Sequence, residues 1–356
     1  MNLSIISFTQ NGLELSKRVA DSLTAEAVIY TKSSFAKKSN GEPWVSFVEE
    51  SIGGWTKKQM QEKNALLFIG ACGIAVRAIA PYITDKLYDS PVLVMDEQGR
   101  YVIPILSGHM GGANELAMQI AEKMKALPII TTATDIQKQF AVDLFAKKND
   151  LHIKNKDGIA KVSSRVLAGN IITMSIESGH LKETEKVPQE IRLVSYPPMQ
   201  PVDILIASKT GVYGADALLT LQPKEYVIGM GCKRGTAAET IEALIEKTIK
   251  ILGIGRDQIF ALVSIDKKKD EQGFLTWSRQ KRIPFYTYSV QQLQETEGTF
   301  HGSDFVKAKV GVDNVCERAA LRACGMNGVL VYEKQAENGM TIAVAKREWS
   351  IAWNEK

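Results

Sequence analysis

Short apolar runs alternate with amphipathic segments of helix length, and this alternation constrains the fold more than any other feature of the chain. Near the amino terminus the predicted strands are Leu3–Phe8, Ala27–Tyr30, Leu66–Ile69, Val92–Met95, Val102–Leu106 and Ile129–Thr132. The predicted helices between them are Leu13–Leu23, Val45–Gln61 and Ala113–Lys125. Alternating strands and helices form a parallel or mixed sheet with helices on its faces. Residues 1–136 are therefore predicted to form a three-layer αβα domain.

The same alternation returns after Pro223. The predicted strands there are Tyr226–Met230, Ile259–Ile265, Phe285–Tyr288, Val329–Tyr332 and Thr341–Ala345. Thr236 and Glu239 form a capping-box pattern ahead of a helix, and Asn314 and Glu317 begin another one. We expect a second three-layer αβα domain over 225–356.

Residues 137–224 are less regular, with short apolar runs and the proline-rich segment Tyr196–Pro201, which no helix or central strand accommodates. This part is predicted to be a smaller α+β segment. The predicted fold class is therefore α/β, with two αβα domains and an α+β segment between them.

Composition excludes several classes of protein. The 356 residues are 45% apolar and 24% charged, as in ordinary globular chains and unlike disordered or collagenous ones. Forty-four Lys and Arg against 40 Asp and Glu leave a net charge of +4. Nucleic-acid binding would need a stronger, clustered basic charge, so no nucleic-acid partner is expected. The charge is compatible with a small polyanionic substrate.

Cysteine and histidine usage bears on metal and location. Cys72, Cys232, Cys316 and Cys324 form no CxxC pair, and four histidines give no zinc pattern. The sequence starts with no signal-like apolar segment and contains no run of about 18 apolar residues. A cytoplasmic protein without a membrane partner is expected.

The most informative turn is Leu106–Glu115, between a predicted strand and a predicted helix. Its glycines let a ligand approach the main chain, and its amides converge at the positive end of a helix. Such a site can bind a carboxylate, or stabilise an oxyanion while His109 moves a proton. The alternative is a tight turn with a solvent-exposed histidine.

Two neighbouring turns follow strands in the same way. Gly70–Arg77 places Gly73 in a tight turn and Arg77 within the next helix, where it can clamp a carboxylate or form a surface ion pair. Thr131–Asp135 ends a strand with hydroxyls and a carboxylate. Asp135 can orient His109, act as a base, or simply cap a helix.

A fourth turn, Gly229–Thr236, carries two adjacent cations, Lys233 and Arg234. It matches neither the dinucleotide-binding GxGxxG pattern nor a P-loop, because no third glycine and no GKT or GKS is present. Cations at a helix start can bind an anion, and a purely structural turn is the alternative.

Taken together, these turns resemble one family, the cobalt-precorrin 5A hydrolases, or CbiG proteins, of anaerobic cobalamin biosynthesis. The resemblance covers both predicted αβα domains, and its motifs keep their order. They are Gly70–Pro81, Ile103–Ala117, Thr131–Asp135, Ala141–Ala146, Ile228–Ala243, Leu262–Gly273 and Lys309–Leu321. Asp313-Asn314, Cys316 and Lys233 depart from the residues usual in the family, which touches the role of their loops more than the assignment.

The resemblance implies a hydrolase that opens the ring A δ-lactone of cobalt-precorrin-5A and releases acetaldehyde, leaving cobalt-precorrin-5B. Water is then the co-substrate, and no protein cofactor or metal is expected, because cobalt arrives inside the substrate. We assign proton transfer to His109, with Glu115 and Asp135 as further catalytic candidates. A cleft between the αβα domains would hold the macrocycle. The expected substrate-binding residues are Gly73, Arg77, Ser107, Gly108, Gly111, Gly112, Asn114, Thr132, Gly231, Lys233, Arg234 and Gly235.

Two rival functions stay open at this point. A tetrapyrrole-binding accessory protein of the same pathway would keep the cationic residues but tolerate loss of His109. A nucleotide-binding regulator could use the glycine turns, although no nucleotide motif is complete. Among partners, self-association and transient contact with neighbouring pathway enzymes also stay open.

Overall fold

The computed structural model describes residues 2–23, 26–33, 44–132, 139–181, 186–209 and 216–353. The chain divides into two compact units, Met1–Leu144 and Phe145–Lys356. The first unit contains one sheet and the second contains two, all rich in parallel strand pairs and flanked by helices. This arrangement confirms the predicted α/β fold class. The predicted boundaries at 136/137 and 224/225 stay a prediction.

The first unit is built on a seven-stranded sheet with the order β3-β2-β1-β4-β5-β6-β7. Its strands are β1 (Leu3–Ser7), β2 (Ala27–Thr31), β3 (Val45–Phe47), β4 (Ala65–Ile69), β5 (Val92–Met95), β6 (Tyr101–Leu106) and β7 (Leu127–Pro128). Its helices are α1 (Gln10–Ser22), α2 (Ile52–Gln61), α3 (Cys72–Ile79) and α4 (Ala113–Met124), and α5 (Val142–Lys148) starts near its end. All neighbouring strands are parallel except the β5–β6 hairpin, which is antiparallel.

Both faces of this sheet are buried, because successive strand residues point to opposite sides. Ile5 and Leu67 pack in one apolar cluster with α1 and α4. Ile6 and Phe68 pack on the other face with Trp55 of α2. Helices therefore cover the sheet on both sides, giving the predicted three layers.

Two predicted elements of this unit are wrong. The predicted helix Val45–Gln61 is a short edge strand followed by α2, which begins after Ser51, whose side chain accepts a hydrogen bond from the Gly54 amide. Residues 129–132 are not a strand, since pairing with β6 ends at Pro128. The apolar pattern of residues 45–61 did not distinguish strand from helix. The Ser51 cap sets where the helix begins.

The second unit carries two five-stranded sheets, with the orders β10-β9-β11-β12-β8 and β15-β14-β13-β17-β16. The first contains β8 (Leu151–Ile153), β9 (Ile172–Ile176), β10 (Ile191–Val194), β11 (Val202–Ile206) and β12 (Ala217–Pro223). The second contains β13 (Tyr226–Gly231), β14 (Ile259–Ile265), β15 (Phe285–Tyr288), β16 (Val329–Glu337) and β17 (Met340–Lys346). The α-helices are α6 (Asp157–Leu167), α7 (Ala238–Leu252), α8 (Gln272–Lys281), α9 (Val290–Gln294), α10 (Asp304–Val310) and α11 (Cys316–Cys324).

The segment after β17 ties the two sheets of the second unit together. The Trp349 indole stacks on the His180 imidazole at a centroid distance of 3.8 Å, and the Ile351 amide donates to the His180 carbonyl. Gln258 Nε2 adds a 3.1 Å hydrogen bond to the Ser208 carbonyl. The predicted middle segment is therefore anchored to the sheet that follows it. Among the described residues, no helix combines the length and apolarity needed to cross a bilayer.

Candidate active site

The loop between β6 and α4 is held in a tight conformation by its own main chain. Ser107 has a φ of 56° and Gly112 a φ of 86°, and Gly112 is the N-cap residue of α4. The Ala113 amide donates to the Ser107 carbonyl at 3.1 Å, and the Gly112 amide donates to the His109 carbonyl at 3.0 Å. The amide of Gly112, a residue expected to bind substrate, therefore already has a partner inside the loop.

Gly111 is sterically required in this loop. A Cβ on Gly111 would lie 2.4 Å from Ser107 Cβ, 2.7 Å from the Ser107 carbonyl oxygen and 3.4 Å from the Asp89 carbonyl oxygen. Two of these neighbours are backbone atoms, which cannot rotate away. Gly112 differs, because nothing lies within 4 Å of its Cβ position.

Gly111→Ala is therefore expected to lower the free energy of unfolding of the first unit by about 3 kcal/mol, the upper range for overpacking. Gly112→Ala is the matched control, and its left-handed φ alone is expected to cost only about 1 kcal/mol. Chemical denaturation of both variants measures the difference. Equal costs for the two alanines would contradict the steric argument.

His109 forms a largely buried pair with Asp143. His109 Nδ1 lies 3.5 Å from Asp143 Oδ2, and the two side chains are only 13% and 15% exposed. Asp143 stands in the first turn of α5 and accepts a 3.0 Å hydrogen bond from the Leu144 amide. The carboxylate therefore fixes the orientation of the imidazole through Nδ1. Nε2 is the ring nitrogen that does not face Asp143.

The pKa of Asp143 lies below its ordinary value. Burial alone would raise this pKa, but the hydrogen bond and charge of His109, the Leu144 amide and the charge of Lys86 together outweigh burial. Asp143 is consequently ionised at neutral pH. Asp135, which the sequence suggested for orienting His109, lies outside the described residues.

Other predicted residues gather around the same loop. Asn114 Nδ2 donates to Thr132 Oγ1 at 3.1 Å, and a Cβ on Gly108 would lie 2.6 Å from Asn114 Oδ1. The Ser107 hydroxyl is buried, with no hydrogen-bond partner among the described residues. Glu115 is exposed and accepts from Gln119 one turn along α4. Asn114, Thr132 and Gly108 thus form one polar group, while Glu115 faces solvent.

Gly73 and Arg77 lie on α3, after β4. Arg77 is exposed, and its guanidinium donates to the Gly73 carbonyl at 3.2 Å. That bond is local to one helical turn. Gly73 stands in the first turn of the helix rather than in the turn before it, whereas Arg77 lies within the helix as predicted. Their part in substrate binding stays a prediction.

The cationic turn after β13 is fixed by contacts with the segment after β14. Arg234 Nη1 lies 3.1 Å from Asp270 Oδ2, and the Gly235 amide donates to the buried Glu271 carboxylate at 2.8 Å. The predicted capping box is wrong: Ala237 is the N-cap residue of α7, and the Thr236 hydroxyl donates to the Lys233 carbonyl at 2.7 Å. Thr236 therefore stabilises the turn rather than the helix.

A cavity of about 690 Å³ opens beside this turn, at the carboxyl ends of β13 and β14. β13 and β14 are parallel neighbours, and ligands of α/β sheets bind in crevices outside the carboxyl ends of the strands. The cavity has an apolar wall and a cationic rim. Its lining comprises Gly231, Cys232, Lys233, Arg234, Ser264, Ile265, Lys267, Lys268, Val306, Lys309, Val310, Val315 and Ala336–Thr341.

Sequence reasoning found only part of this cavity. Gly231, Lys233 and Arg234 were expected to bind substrate, whereas Lys267, Lys268 and Lys309 were not singled out. The run of lysines after β14 was the available signal. Within the described ranges, no group of three or more His, Cys, Asp or Glu side chains comes together that could hold a metal ion.

Comparison with known proteins places the chain in a family. The family described as "Cobalamin synthesis G N-terminal" matches residues 54–135, and "Cobalamin synthesis G C-terminus" matches residues 226–345. The first match contains the His109 loop, and the second contains the cationic turn and all of the cavity lining.

Full-length relatives agree with these matches. The chain is 32% identical to the cobalt-precorrin-5A hydrolase of Priestia megaterium, over 96% of this chain and 94% of that protein. It is 30% identical to the cobalt-precorrin-5A hydrolase of Salmonella typhimurium, over 96% and 97%. The crystal structure of a cobalamin biosynthesis protein G homolog from Sulfolobus solfataricus covers 98% of this chain and 97% of its own, at 22% identity and a TM-score of 0.40. The chain belongs to the cobalt-precorrin-5A hydrolase, or CbiG, family.

Proposed function

We propose that this chain hydrolyses cobalt-precorrin-5A, opening the ring A δ-lactone and releasing acetaldehyde to give cobalt-precorrin-5B. Two relatives with that name match it over nearly their full length, at 30% and 32% identity. The observation that carries the chemistry is the buried His109–Asp143 pair on a glycine-rich loop. Such a pair is the usual arrangement of a general base and the carboxylate that orients it.

In the first step, the imidazole of His109 removes a proton from water as the water oxygen attacks the lactone carbonyl. Asp143 stabilises the imidazolium that forms, and the loop amides, with Gly111 foremost, stabilise the oxyanion. The ring C–O bond then breaks. The alkoxide takes the proton back from His109, which leaves a carboxylate and a free hydroxyl.

The second step breaks a carbon–carbon bond. The hydroxyl gives up its proton and becomes the carbonyl of acetaldehyde, while the electron pair of the broken bond stays on the macrocycle. The macrocycle then takes up a proton, so the step needs no oxidant or reductant. We assign the acceptance of the hydroxyl proton in this step to His109 as well.

The test is anaerobic incubation of the purified protein with cobalt-precorrin-5A and an aldehyde-trapping reagent. One equivalent of trapped acetaldehyde per corrinoid supports the proposal. Tight corrinoid binding without acetaldehyde would overturn it in favour of the non-catalytic accessory protein. A parallel thermal-shift measurement with ATP and NAD tests the nucleotide-binding alternative.

Asp143→Asn is expected to lower kcat by about 100-fold or more, because an amide neither stabilises the imidazolium nor holds the same tautomer. Asp157→Asn is the matched control, since that aspartate is 65% exposed and pairs with Lys161 four residues along α6. The control is expected to keep wild-type kcat. Equal rates in the two variants would remove Asp143 from the mechanism.

The lowered pKa of Asp143 also sets the pH range in which its carboxylate stabilises the fold. A carboxyl group with a depressed folded-state pKa contributes stability above its unfolded pKa, and that stability is lost as the pH falls through the folded value. The ordinary value is 3.8, so loss of this contribution begins only near that pH and continues below it. Between pH 5 and 8, Asp143 therefore stays ionised and does not shape the activity profile.

A further inference from the structure

We propose that the cavity at the ends of β13 and β14 binds peripheral carboxylates of the corrinoid through Lys233, Lys267 and Lys309, with the macrocycle edge against its apolar wall. This inference rests on the proposed function and names the part of the second unit that holds the substrate. The sequence suggested an anion site at the start of α7, whereas we now assign the anion site to the rim of the cavity.

The rim has more positive charge than its neighbouring carboxylates neutralise. Arg234 pairs with Asp270, and Lys268 pairs with the buried Glu271. Glu337, the carboxylate in the lining, pairs with Lys247 outside the cavity. These three cation–carboxylate pairs involve neither Lys233 nor Lys267, so these two lysines of the rim can attract an anionic ligand.

Lys233 and Lys267 are the clearest anion-binding candidates. Both are exposed, and neither has a carboxylate oxygen within 4.0 Å in the described part of the chain. A flexible ammonium group on a cavity rim is well suited to a carboxylate whose position varies with the ligand. Lys309 lines the same cavity from α10, whereas Lys233 and Lys267 stand on the loops after β13 and β14.

The backbone keeps Lys233 and Lys267 on the same rim. Arg234 Nη2 donates to the Lys267 carbonyl at 3.3 Å, which links the two loops. The Lys233 side chain runs over Gly339 at the tip of the β16–β17 hairpin, where a Cβ would lie 2.7 Å from Lys233 Cε and 3.3 Å from Nζ. A glycine at that tip therefore leaves room for the lysine side chain.

The rest of the lining determines the class of ligand. Ile265, Val306, Val310, Val315 and Met340 give an apolar wall, and the lining residues that the structure describes include no aromatic ring that could stack on a nucleobase. The Ser264 hydroxyl is already donated to the Met230 carbonyl. An apolar wall under a cationic rim fits a flat macrocycle with acetate and propionate side chains better than a nucleotide.

The test compares the double variant Lys233→Gln/Lys267→Gln with a matched control, Lys57→Gln/Lys250→Gln, which removes two exposed charges elsewhere. The probes are cobyrinic acid, whose side chains are free carboxylates, its heptamethyl ester, and ATP. We expect the wild type to prefer the acid, and the double variant to bind it at least ~10-fold more weakly with a smaller salt dependence. The control should bind like the wild type.

Turnover supplies an independent readout. With cobalt-precorrin-5A, the double variant is expected to show a raised KM and a kcat within about threefold of the wild type, since it loses binding and keeps the His109 pair. Unchanged acid binding in the double variant, equal affinity for acid and ester, or tighter lysine-dependent binding of ATP would overturn the proposal. Because binding is measured without turnover, a wild type that releases no acetaldehyde refutes the proposed function and leaves this test intact.

Discussion

Alanine in place of His109 is expected to lower kcat for acetaldehyde release by about 10²–10⁴-fold, the range that general acid–base groups contribute. The substitution removes the imidazole of the loop, the side-chain type best suited to take and return a proton near neutral pH. KM should change by only a few fold, because the loop amides and the lysines of the second unit remain. Initial rates over a range of substrate concentrations separate the two constants.

His152→Ala is the matched control for this prediction. His152 also faces a carboxylate, with its Nε2 3.4 Å from Asp257 Oδ2, but it lies on β8 in the second unit. The control should retain wild-type kcat. If both alanine variants kept wild-type rates, the proton would have to be moved by another residue of the loop, with Glu115 the first to examine.

Removal of the Glu317 carboxylate is expected to give the largest loss of stability. Glu317 is fully buried, and its two oxygens accept from the His301 amide, His301 Nδ1, the Lys334 amide and the Asn314 side chain. Glu317→Ala removes the acceptor of all four donors, of which the Asn314 side chain is buried. We expect the free energy of unfolding of the second unit to fall by about 3–5 kcal/mol.

Glu333→Ala provides the control, because Glu333 is 67% exposed and reaches the same histidine only at 3.8 Å. Its effect should stay within about 0.5 kcal/mol, as for most exposed ion pairs. Urea denaturation of both variants measures the difference. A cost below about 1 kcal/mol for Glu317→Ala would show that water replaces the carboxylate, contrary to the buried network described here.

The pKa of Glu317 gives this prediction a pH signature. Burial would raise the pKa, but the backbone amides of Lys334 and His301 and the His301 side chain hold it below the ordinary 4.5. The carboxylate therefore contributes stability above its unfolded pKa, and that contribution is lost as the pH falls through the lower folded value. The gap between wild type and Glu317→Ala should narrow below about pH 4.5.

The sequence predicted the layers of the fold well because buried parallel strands are continuous apolar runs. Val92–Met95, Ile259–Ile265 and Phe285–Tyr288 are strands with the predicted bounds. The helix α6 was missed because the sequence around Asp157–Leu167 contains no strong capping residue. In the structure, the side chain of its N-cap residue, Lys156, makes no capping hydrogen bond. Its apolar stripe becomes evident only once it packs beside β12 and β9.

The sequence predicted the His109 loop of the candidate site but not the carboxylate that pairs with His109. The turn around His109 could be identified because glycines cluster between a strand and a helix. Asp143 stands 34 positions after His109, within the motif Ala141–Ala146. Nothing in the local sequence pairs it with a histidine. Only the fold brings the start of α5 to the loop, so the nearer Asp135 was preferred.

The lysines on the other side of the cavity were missed for a related reason. Lys267 and Lys268 belong to a run of charges that is typical of a solvated surface, and Lys309 lies on a short helix that was not predicted. These lysines come together because β14 and β13 are adjacent and parallel, with both loops at the same edge. Adjacency of this kind is a property of sheet order, which a single sequence does not reveal.

The central claim, that His109 directs water onto the lactone carbonyl, is tested most directly by a single turnover in H₂¹⁸O under anaerobic conditions. The mass of the corrinoid product and the yield of trapped acetaldehyde are measured for the wild type and His109→Ala. We predict one ¹⁸O atom in the carboxylate of the wild-type product, together with one equivalent of acetaldehyde, and neither at a comparable rate in the variant. An unlabelled carboxylate, or equal labelling rates in both proteins, would contradict the account.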